Sequence, residues 1–255
     1  MFENMVKIRL FNKTIFLLFF CAIFLFIGKW FFSYYFFNED IAIKIIFESQ
    51  SDGYFYFPFV KYFSLLEFNN SYDLNINNLK NIPFPLYGIF FHSIFFKLFG
   101  FFSFIILKLI CIFLFLIIFF FIFQKFNFSK LISIILSIAL FLIPTLLELI
   151  NLQNINYLSG GVYQFYNLRF QSPLVVNLFL FYFILFLFDL NNGKIFEIKN
   201  FVIFGFILAF SFTSFYYHFL LELLSFLFFL IYKFKLKFNY LFKNKIKYYL
   251  ISFFI

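Results

Sequence analysis

The feature that most constrains the fold is a run of 23 residues, 101–123, in which Lys108 is the one charged side chain. A helix needs about 20 mostly apolar residues to cross a bilayer core about 30 Å thick. Comparable runs occur at 14–36, 131–149, 172–188, 201–217 and 219–232. The chain is 65% hydrophobic, whereas soluble domains are typically about 45–50% apolar. The sequence therefore predicts an all-α, polytopic membrane helical bundle with about six transmembrane helices.

A shorter apolar segment, 84–99, has the sequence FPLYGIFFHSIFFKLF. Its polar or small residues, Gly88, His92, Ser93 and Lys97, recur at helical spacing as a narrow stripe. A short helix with such a stripe is typical of a segment that lies in the membrane interface. We therefore predict that 84–99 is an interfacial helix associated with the first external loop.

The distribution of positive charge predicts the orientation. Thirteen of the 20 Lys and Arg residues lie in the segments predicted to be cytoplasmic, namely 1–13, 124–130, 189–200 and 233–247. Only four lie in the predicted external loops, 38–83 and 150–171. If 84–99 crossed the membrane, the six lysines of 233–247 would fall outside, against the positive-inside rule. The net charge of +9 is thus assigned to topology, and no nucleic-acid partner is predicted.

The ends of the chain carry two further expectations. Lys7, Arg9 and Lys13 precede the first apolar run, and no small-residue cleavage site follows Gly28. This pattern favours a retained signal anchor with a cytoplasmic N-terminus, in the inner (cytoplasmic) membrane. Residues 248–255 begin a further apolar run, so we expect the chain to be the N-terminal part of a longer protein, a single transmembrane domain over 1–255.

The order of these segments resembles the GT-C glycosyltransferases. The resemblance begins with the external loop that carries Asp52 in SDGYFYFPFV and continues in the proline-led NIPFPLYGIFFHSIFFKLFG. It extends through Lys108 in FFSFIILKLICIF, then PTLLELI and RFQSPLVVN. The first loop has no clear Asp-Xaa-Asp and no soluble C-terminal domain follows, so the acceptor class stays open.

The resemblance implies an enzyme that transfers a sugar from a polyprenyl-phosphate carrier to a cell-envelope glycan, lipid or protein outside the cytoplasm. In such an enzyme Asp52 is the expected catalytic base, or it helps to position a divalent metal ion. Glu48 lies four residues earlier, so a helix would turn both carboxylates to one face. The alternative is that both are solvated loop acids, and no residue is predicted as a metal ligand.

Three residues are candidates for binding the lipid phosphate. Lys108 lies early in its apolar run, where it either faces a cavity or extends its ammonium group to the outer interface. Arg169 precedes Ser172 and Pro173, which are typical of a helix start, and a guanidinium there can bind phosphate or pair with Glu148. His92 is a third donor or proton relay, or simply a surface histidine.

A second function class rests on different residues. A permease, flippase or polysaccharide-export component would be lined by Lys108, His218 and Glu222, and a purely structural membrane protein would need none of them. His218 and Glu222 are four residues apart, so we expect them to pair with each other on one helix face. The partners predicted in every case are the lipid bilayer and, for the enzyme, a lipid-linked sugar donor.

Overall fold

The computed structural model describes residues 2–38, 40, 53–66, 86–149, 175–192 and 198–234, with no β-strand among them. The predicted all-α class is confirmed over these residues. The helices are α1 (Phe2–Phe37), α2 (Gly53–Ser64), α3 (Leu86–Phe99), α4 (Ser103–Lys125), α5 (Lys130–Leu149), α6 (Val176–Asn192), α7 (Ile198–Ser214) and α8 (Tyr216–Phe234).

Two of these helices are long and apolar enough to cross a membrane. They are α4 and the stretch Tyr216–Lys233 of α8. The other apolar helical stretches that the structure describes are shorter, at Lys13–Gly28, Leu86–Phe99, Lys130–Leu142, Val176–Leu190 and Val202–Ser214. The helical architecture therefore agrees with the sequence, and the six-span arrangement stays a prediction.

Helix α4 lies at the centre and packs against α1, α3, α5 and α6. Its sequence is apolar on every side, which is the pattern of a helix surrounded by other helices or by lipid. Phe115 and Phe119 of α4 both contact the ring of Phe181 in α6, at centroid distances of 5.7 Å and 4.8 Å. Leu18, Ala22 and Phe26, spaced four residues apart on α1, join the same core.

The 32-residue apolar run from Phe201 to Tyr232 is two helices that form a hairpin. Helix α7 ends at Ser214, and α8 begins at Tyr216, so Phe215 is the one residue between them. Phe204 and Phe226 lie eleven residues before and after Phe215, and their rings stack at 4.0 Å. This symmetrical contact shows that α7 and α8 are antiparallel.

The bundle has two ends that can be told apart by their contacts. At one end, which we call the Asp189 end, Lys125 forms an ion pair with Asp189, and Phe126 contacts Phe188 at 5.0 Å. Helices α4 and α6 therefore finish together. At the other end, the Phe210 end, Phe210 of α7 stacks on Phe179 of α6 at 3.5 Å and on Tyr87 of α3 at 5.0 Å.

Helices α2 and α3 pack against each other, and α3 contacts α4 and α7 at the Phe210 end. Val60 and Phe63 of α2 bury Ile89 of α3. Helix α2 was not predicted as a helix. Its stretch GYFYFPFVKYFS contains Pro58, which has no amide hydrogen and disfavours a helix interior, yet the apolar face formed by its second half is buried against α3.

The stripe of α3 lies partly inside the protein. Gly88, His92 and Ser93 are buried, whereas Lys97, the last residue of the same stripe, is exposed. His92 bonds to Ser103 of α4, while the Ser93 hydroxyl donates to the carbonyl oxygen of Ile89 within its own helix. The place of α3 in the membrane interface stays a prediction. At 14 residues the helix is about 21 Å long, too short to cross a bilayer core.

Gly100 lies at the junction of α3 and α4. Its φ is +58°, in the left-handed region, and a short 3₁₀ turn, Gly100–Phe102, leads from it into α4. No atom lies within 4 Å of the position that a Cβ would occupy. The requirement for glycine here is therefore conformational and not one of space.

We expect Gly100→Ala to lower the stability of the folded protein by about 1 kcal/mol, because alanine is strained at this φ. Gly28→Ala is the matched control, since Gly28 lies inside α1 and an added Cβ would make only ordinary contacts of 4.0 Å with the Phe24 ring. Thermal unfolding in detergent measures both. An equal effect of the two substitutions would contradict the conformational role of Gly100.

Candidate functional site

Buried polar side chains concentrate at the Phe210 end of the bundle. They come from the middle of α3, the first two turns of α4 and α8, the first turn of α6 and the last turn of α7. Each is at most 8% exposed: His92, Ser93, Ser103, Lys108, Asn177, Ser211, Ser214, His218 and Glu222. We call this set the polar layer. Since burying a polar group without a partner costs free energy, the layer is the strongest candidate for a functional site.

The serines at the Asp189 end show how such groups are ordinarily satisfied. The hydroxyl groups of Ser133 and Ser137 donate to the carbonyl oxygens of Ser129 and Ser133, at 2.9 Å and 2.6 Å. Each bond runs one helical turn back, which is the common arrangement for a hydroxyl in an apolar helix. These serines need no ligand, and they provide a reference for the polar layer.

His92 joins α3 to α4 through a buried hydrogen bond. Its Nε2 lies 2.9 Å from the hydroxyl oxygen of Ser103, the first residue of α4. Desolvation by burial lowers the pKa of His92 to about 4, so the imidazole is neutral at neutral pH. A neutral ring can accept or donate a single hydrogen bond at each nitrogen, but it brings no positive charge to a phosphate.

Lys108 lies inside the bundle. It is 6% exposed and is five residues after Ser103 on α4, which places it about 7.5 Å further along the helix axis. A lysine that extends to the interface would expose its ammonium group, whereas this side chain is buried among the helices. Of the two expectations for Lys108, the structure thus agrees with the inward one, and its phosphate-binding role stays a prediction.

The other three predicted site residues, Asp52, Glu48 and Arg169, lie outside the described residues. Asp52 immediately precedes Gly53, the first residue of α2. Arg169 precedes the described part of the chain that leads into α6. The structure therefore brings His92 and Lys108 to the same end of the bundle and leaves the contacts of the three others as predictions.

A compact part of the polar layer lies at the turn between α7 and α8. Ser211 and Ser214 are in the last turn of α7, and Glu222 is in the second turn of α8. All three are at most 1% exposed. Within the described part of the chain, neither carboxylate oxygen of Glu222 and neither serine hydroxyl has a hydrogen-bond partner. The Ser211 hydroxyl lies within hydrogen-bonding reach of the Glu222 carboxyl group, although the geometry falls short of a complete hydrogen bond.

The expected pairing of His218 with Glu222 is wrong. The carboxylate oxygens of Glu222 accept no hydrogen bond, and the ring of His218 packs edge-on against Phe215 at 4.7 Å. A spacing of four residues puts two side chains on one face, but the ring contact at the turn holds the imidazole elsewhere.

The sequence analysis also missed Ser211 and Ser214 as site residues. The stretch SFTSFYYH, residues 211–218, contains both serines and lies where the predicted runs 201–217 and 219–232 meet. Two serines three residues apart share a helix face, and a carboxylate follows eight residues after the second. Two serines shortly before the turn and a carboxylate shortly after it were the pattern in the sequence that could have indicated these residues.

The comparisons with known proteins give no relatives: no protein-family model, no curated protein and no solved structure matches the chain. Over the described residues no group of three or more His, Cys, Asp or Glu side chains is arranged to hold a metal ion. The acidic residues of the predicted first loop, where the resemblance puts a metal, are outside that part of the chain apart from Asp40.

The lowered pKa of His92 predicts how stability depends on pH. The ordinary pKa is 6.5 and the folded value is about 4, so between these values the unfolded chain binds the proton more readily. Stability should therefore fall as the pH falls from about 6.5 to about 4, by up to about 3 kcal/mol from this residue.

Thermal unfolding of the wild type and His92→Gln across this pH range measures the difference. The wild type should lose more stability than the variant, whose side chain does not titrate. In a His218→Gln background, the ring resonances of His92 should report a neutral imidazole down to about pH 4. A midpoint near 6.5 would contradict its burial.

Proposed function

We propose that the chain is a multi-pass protein of the cytoplasmic membrane, with the Phe210 end on the non-cytoplasmic side. Large apolar side chains are exposed on several helices, far more than the scattered few on a soluble surface. They include Phe16, Phe20 and Phe24 of α1, Leu131 and Ile135 of α5, Val202 and Phe206 of α7, and Leu224 and Phe228 of α8. Lipid chains would cover this surface without the cost of contact with water.

Positive charge supports the orientation. The ion pair of Lys125 with Asp189 joins two segments, 124–130 and 189–200, that were independently assigned to the cytoplasm from their lysines. If the Asp189 end is cytoplasmic, the Phe210 end faces outward. The polar layer then lies near the outer surface of the membrane.

Within this arrangement we infer a glycosyltransferase that uses a polyprenyl-phosphate-linked sugar. The observation that carries the inference is the packing of the α2–α3 pair at the Phe210 end, where Lys108 is buried. The predicted base, Asp52, is covalently joined to the first residue of α2. Base and phosphate-binding lysine would thus belong to the same end of the bundle.

The proposed reaction is a single displacement. The carboxylate of Asp52, with Glu48 beside it, takes the proton from an acceptor hydroxyl group, whose oxygen attacks the anomeric carbon of the sugar. The bond between that carbon and the phosphate oxygen breaks, and its electron pair stays on the phosphate. Lys108 and Arg169 would stabilise this added negative charge, which is worth more in surroundings of low dielectric constant than in water.

His92 has a positioning role in this proposal. Its bond to Ser103 joins α3 to the start of α4, five residues before Lys108. The neutral imidazole would keep the lysine-bearing turn in register with the α2–α3 pair and would leave the binding of phosphate charge to the cations.

A second candidate function is transport by a permease, flippase or export component. The observation that favours it is the buried carboxyl group of Glu222, since ionisable residues inside a membrane bundle commonly mark an ion or substrate path. Such a protein would depend on Glu222 and Lys108 and would tolerate the loss of Asp52.

We expect Asp52→Asn to reduce sugar transfer from a labelled polyprenyl-phosphate donor by about 10²-fold or more, because the amide cannot accept the acceptor proton. Asp73→Asn is the matched control, since Asp73 lies in the same predicted loop and has no assigned role. Transfer by purified protein in detergent and the amount inserted in the membrane are measured together.

Full activity of Asp52→Asn at normal insertion would remove Asp52 as the base. Loss of activity in both variants would point to a general effect of loop charge. Absence of transfer by the wild type, together with substrate uptake that needs Glu222, would favour the transport function.

A further inference from the structure

We propose that the lysines at the Asp189 end of the bundle form a binding surface for anionic phospholipids of the cytoplasmic leaflet. We call this surface the lysine belt, and it consists of Lys125, Lys130, Lys199 and Lys233. The inference rests on the proposed membrane location and orientation, and it does not depend on sugar transfer. Its evidence is the meeting of four charges from four helices at one end, together with the apolar surface beside them.

Two lysines of the belt are brought together by contacts between α4 and α5. Lys125 is the last residue of α4 and is paired with Asp189. Lys130 is the first residue of α5. The side chain of Gln124 donates a hydrogen bond to the Ser133 hydroxyl at 2.7 Å, which joins the last turn of α4 to the first turn of α5. Both lysines therefore lie at the Asp189 end.

The other two lysines reach this end through antiparallel packing. Phe204, near the start of α7, stacks on Phe186, near the end of α6, with ring centroids 6.4 Å apart. Because α6 and α7 also meet at the Phe210 end, they are antiparallel, and α7 begins at the Asp189 end. Lys199 is the second residue of α7. Helix α8 is antiparallel to α7 and so ends here, and Lys233 is its second-to-last residue.

The charge at this end is strongly positive. All four lysines are exposed. In helices α4 to α8, Asp189 is the one acidic residue described at this end, and it is paired with Lys125. By sequence, 233–247 contains six lysines and no acidic residue, whereas the predicted first external loop, 38–83, contains six acidic residues and three lysines. An anionic surface is thus attracted to the Asp189 end over the other end.

The apolar surface beside the lysines indicates an amphiphilic partner. On α7, Lys199, Val202 and Phe206 are spaced three and four residues apart, so they share one exposed face. On α5, Leu131 is exposed directly after Lys130. A phospholipid has the same arrangement, with an anionic headgroup next to its acyl chains. A free anion or a nucleic acid would contact the charges alone, so the surface fits a lipid better than either.

The test is the thermal unfolding of the whole chain, purified in a neutral detergent, with added phosphatidylglycerol or phosphatidylcholine of the same acyl chains. Phosphatidylglycerol should raise the unfolding temperature in a saturable manner, because a ligand that binds only the folded state stabilises it. High salt should remove this effect, since it screens exposed charges. Phosphatidylcholine, which has no net charge, and inorganic phosphate, which has no acyl chain, should not reproduce it.

Variants separate the belt from a general effect of net charge. Lys130→Gln combined with Lys199→Gln removes two charges of the belt and keeps the ion pair of Lys125. It should weaken the apparent affinity for phosphatidylglycerol at least about tenfold. Each single substitution should act in the same direction, which keeps the test decisive if the double variant does not fold. The matched control is Lys61→Gln combined with Lys97→Gln, which removes two exposed lysines of the α2–α3 pair and should leave the response unchanged.

Equal unfolding temperatures with the two lipids would overturn the proposal. So would a phosphatidylglycerol response that the belt variant retains, or one that the control variant loses to the same extent. An equal response to inorganic phosphate would also overturn it, by assigning the surface to small anions. Retention of the chain in membranes washed at alkaline pH tests the membrane location separately, so failure of that proposal and failure of lipid binding are distinguishable.

Discussion

The structure depends on one requirement: an apolar chain must satisfy its backbone hydrogen bonds within each segment, because neither lipid nor apolar side chains can do so. The long apolar runs consequently form helices, and the polar breaks between them form turns. At Phe215 the break is one residue long, and the backbone amide groups of Phe215 and His218 still find carbonyl partners at 2.7 Å and 2.9 Å. Side chains with polar atoms face the same requirement, and in most places they meet it locally.

In the polar layer, several side chains are not satisfied by the backbone of their own helix. His92 and Ser103 satisfy each other across two helices, so their bond serves the packing of α3 on α4. Ser211, Ser214 and Glu222 do not, and they lie at the end of the bundle to which the α2–α3 pair is attached. A protein with no use for these groups would be more stable with apolar residues in their place. Their burial is therefore the best structural reason to look for binding or catalysis at this end.

The sequence predicted the helical class and the course of the chain because apolar length is a local property. It did not predict α2, since Pro58 argues against a helix and only the packing of Val60 and Phe63 on Ile89 makes one favourable. The burial of His92 could not be predicted for the same reason: composition shows that His92 is polar but does not show that Ser103 of another helix is its hydrogen-bond partner.

The candidate site was predicted less completely than the fold. Lys108 and His92 were identified because a charged or titratable residue stands out in an apolar run. Ser211 and Ser214 were missed because serine is common in such helices and is ordinarily satisfied by its own backbone. The pairing of His218 with Glu222 failed because helical spacing specifies a shared face and not the direction of each side chain, which here is fixed by the contact with Phe215.

The orientation of the two ends of the bundle is the point on which the functional proposals rest, and cysteine labelling tests it directly. In a background with Cys21 and Cys111 replaced by alanine, single cysteines at Asn127 and Leu66, both exposed, would mark the Asp189 end and the α2–α3 pair. A membrane-impermeant maleimide added to intact cells should label position 66 and should label position 127 only after the membrane is opened. Labelling of both positions from the same side, or the reverse pattern, would contradict the proposed arrangement.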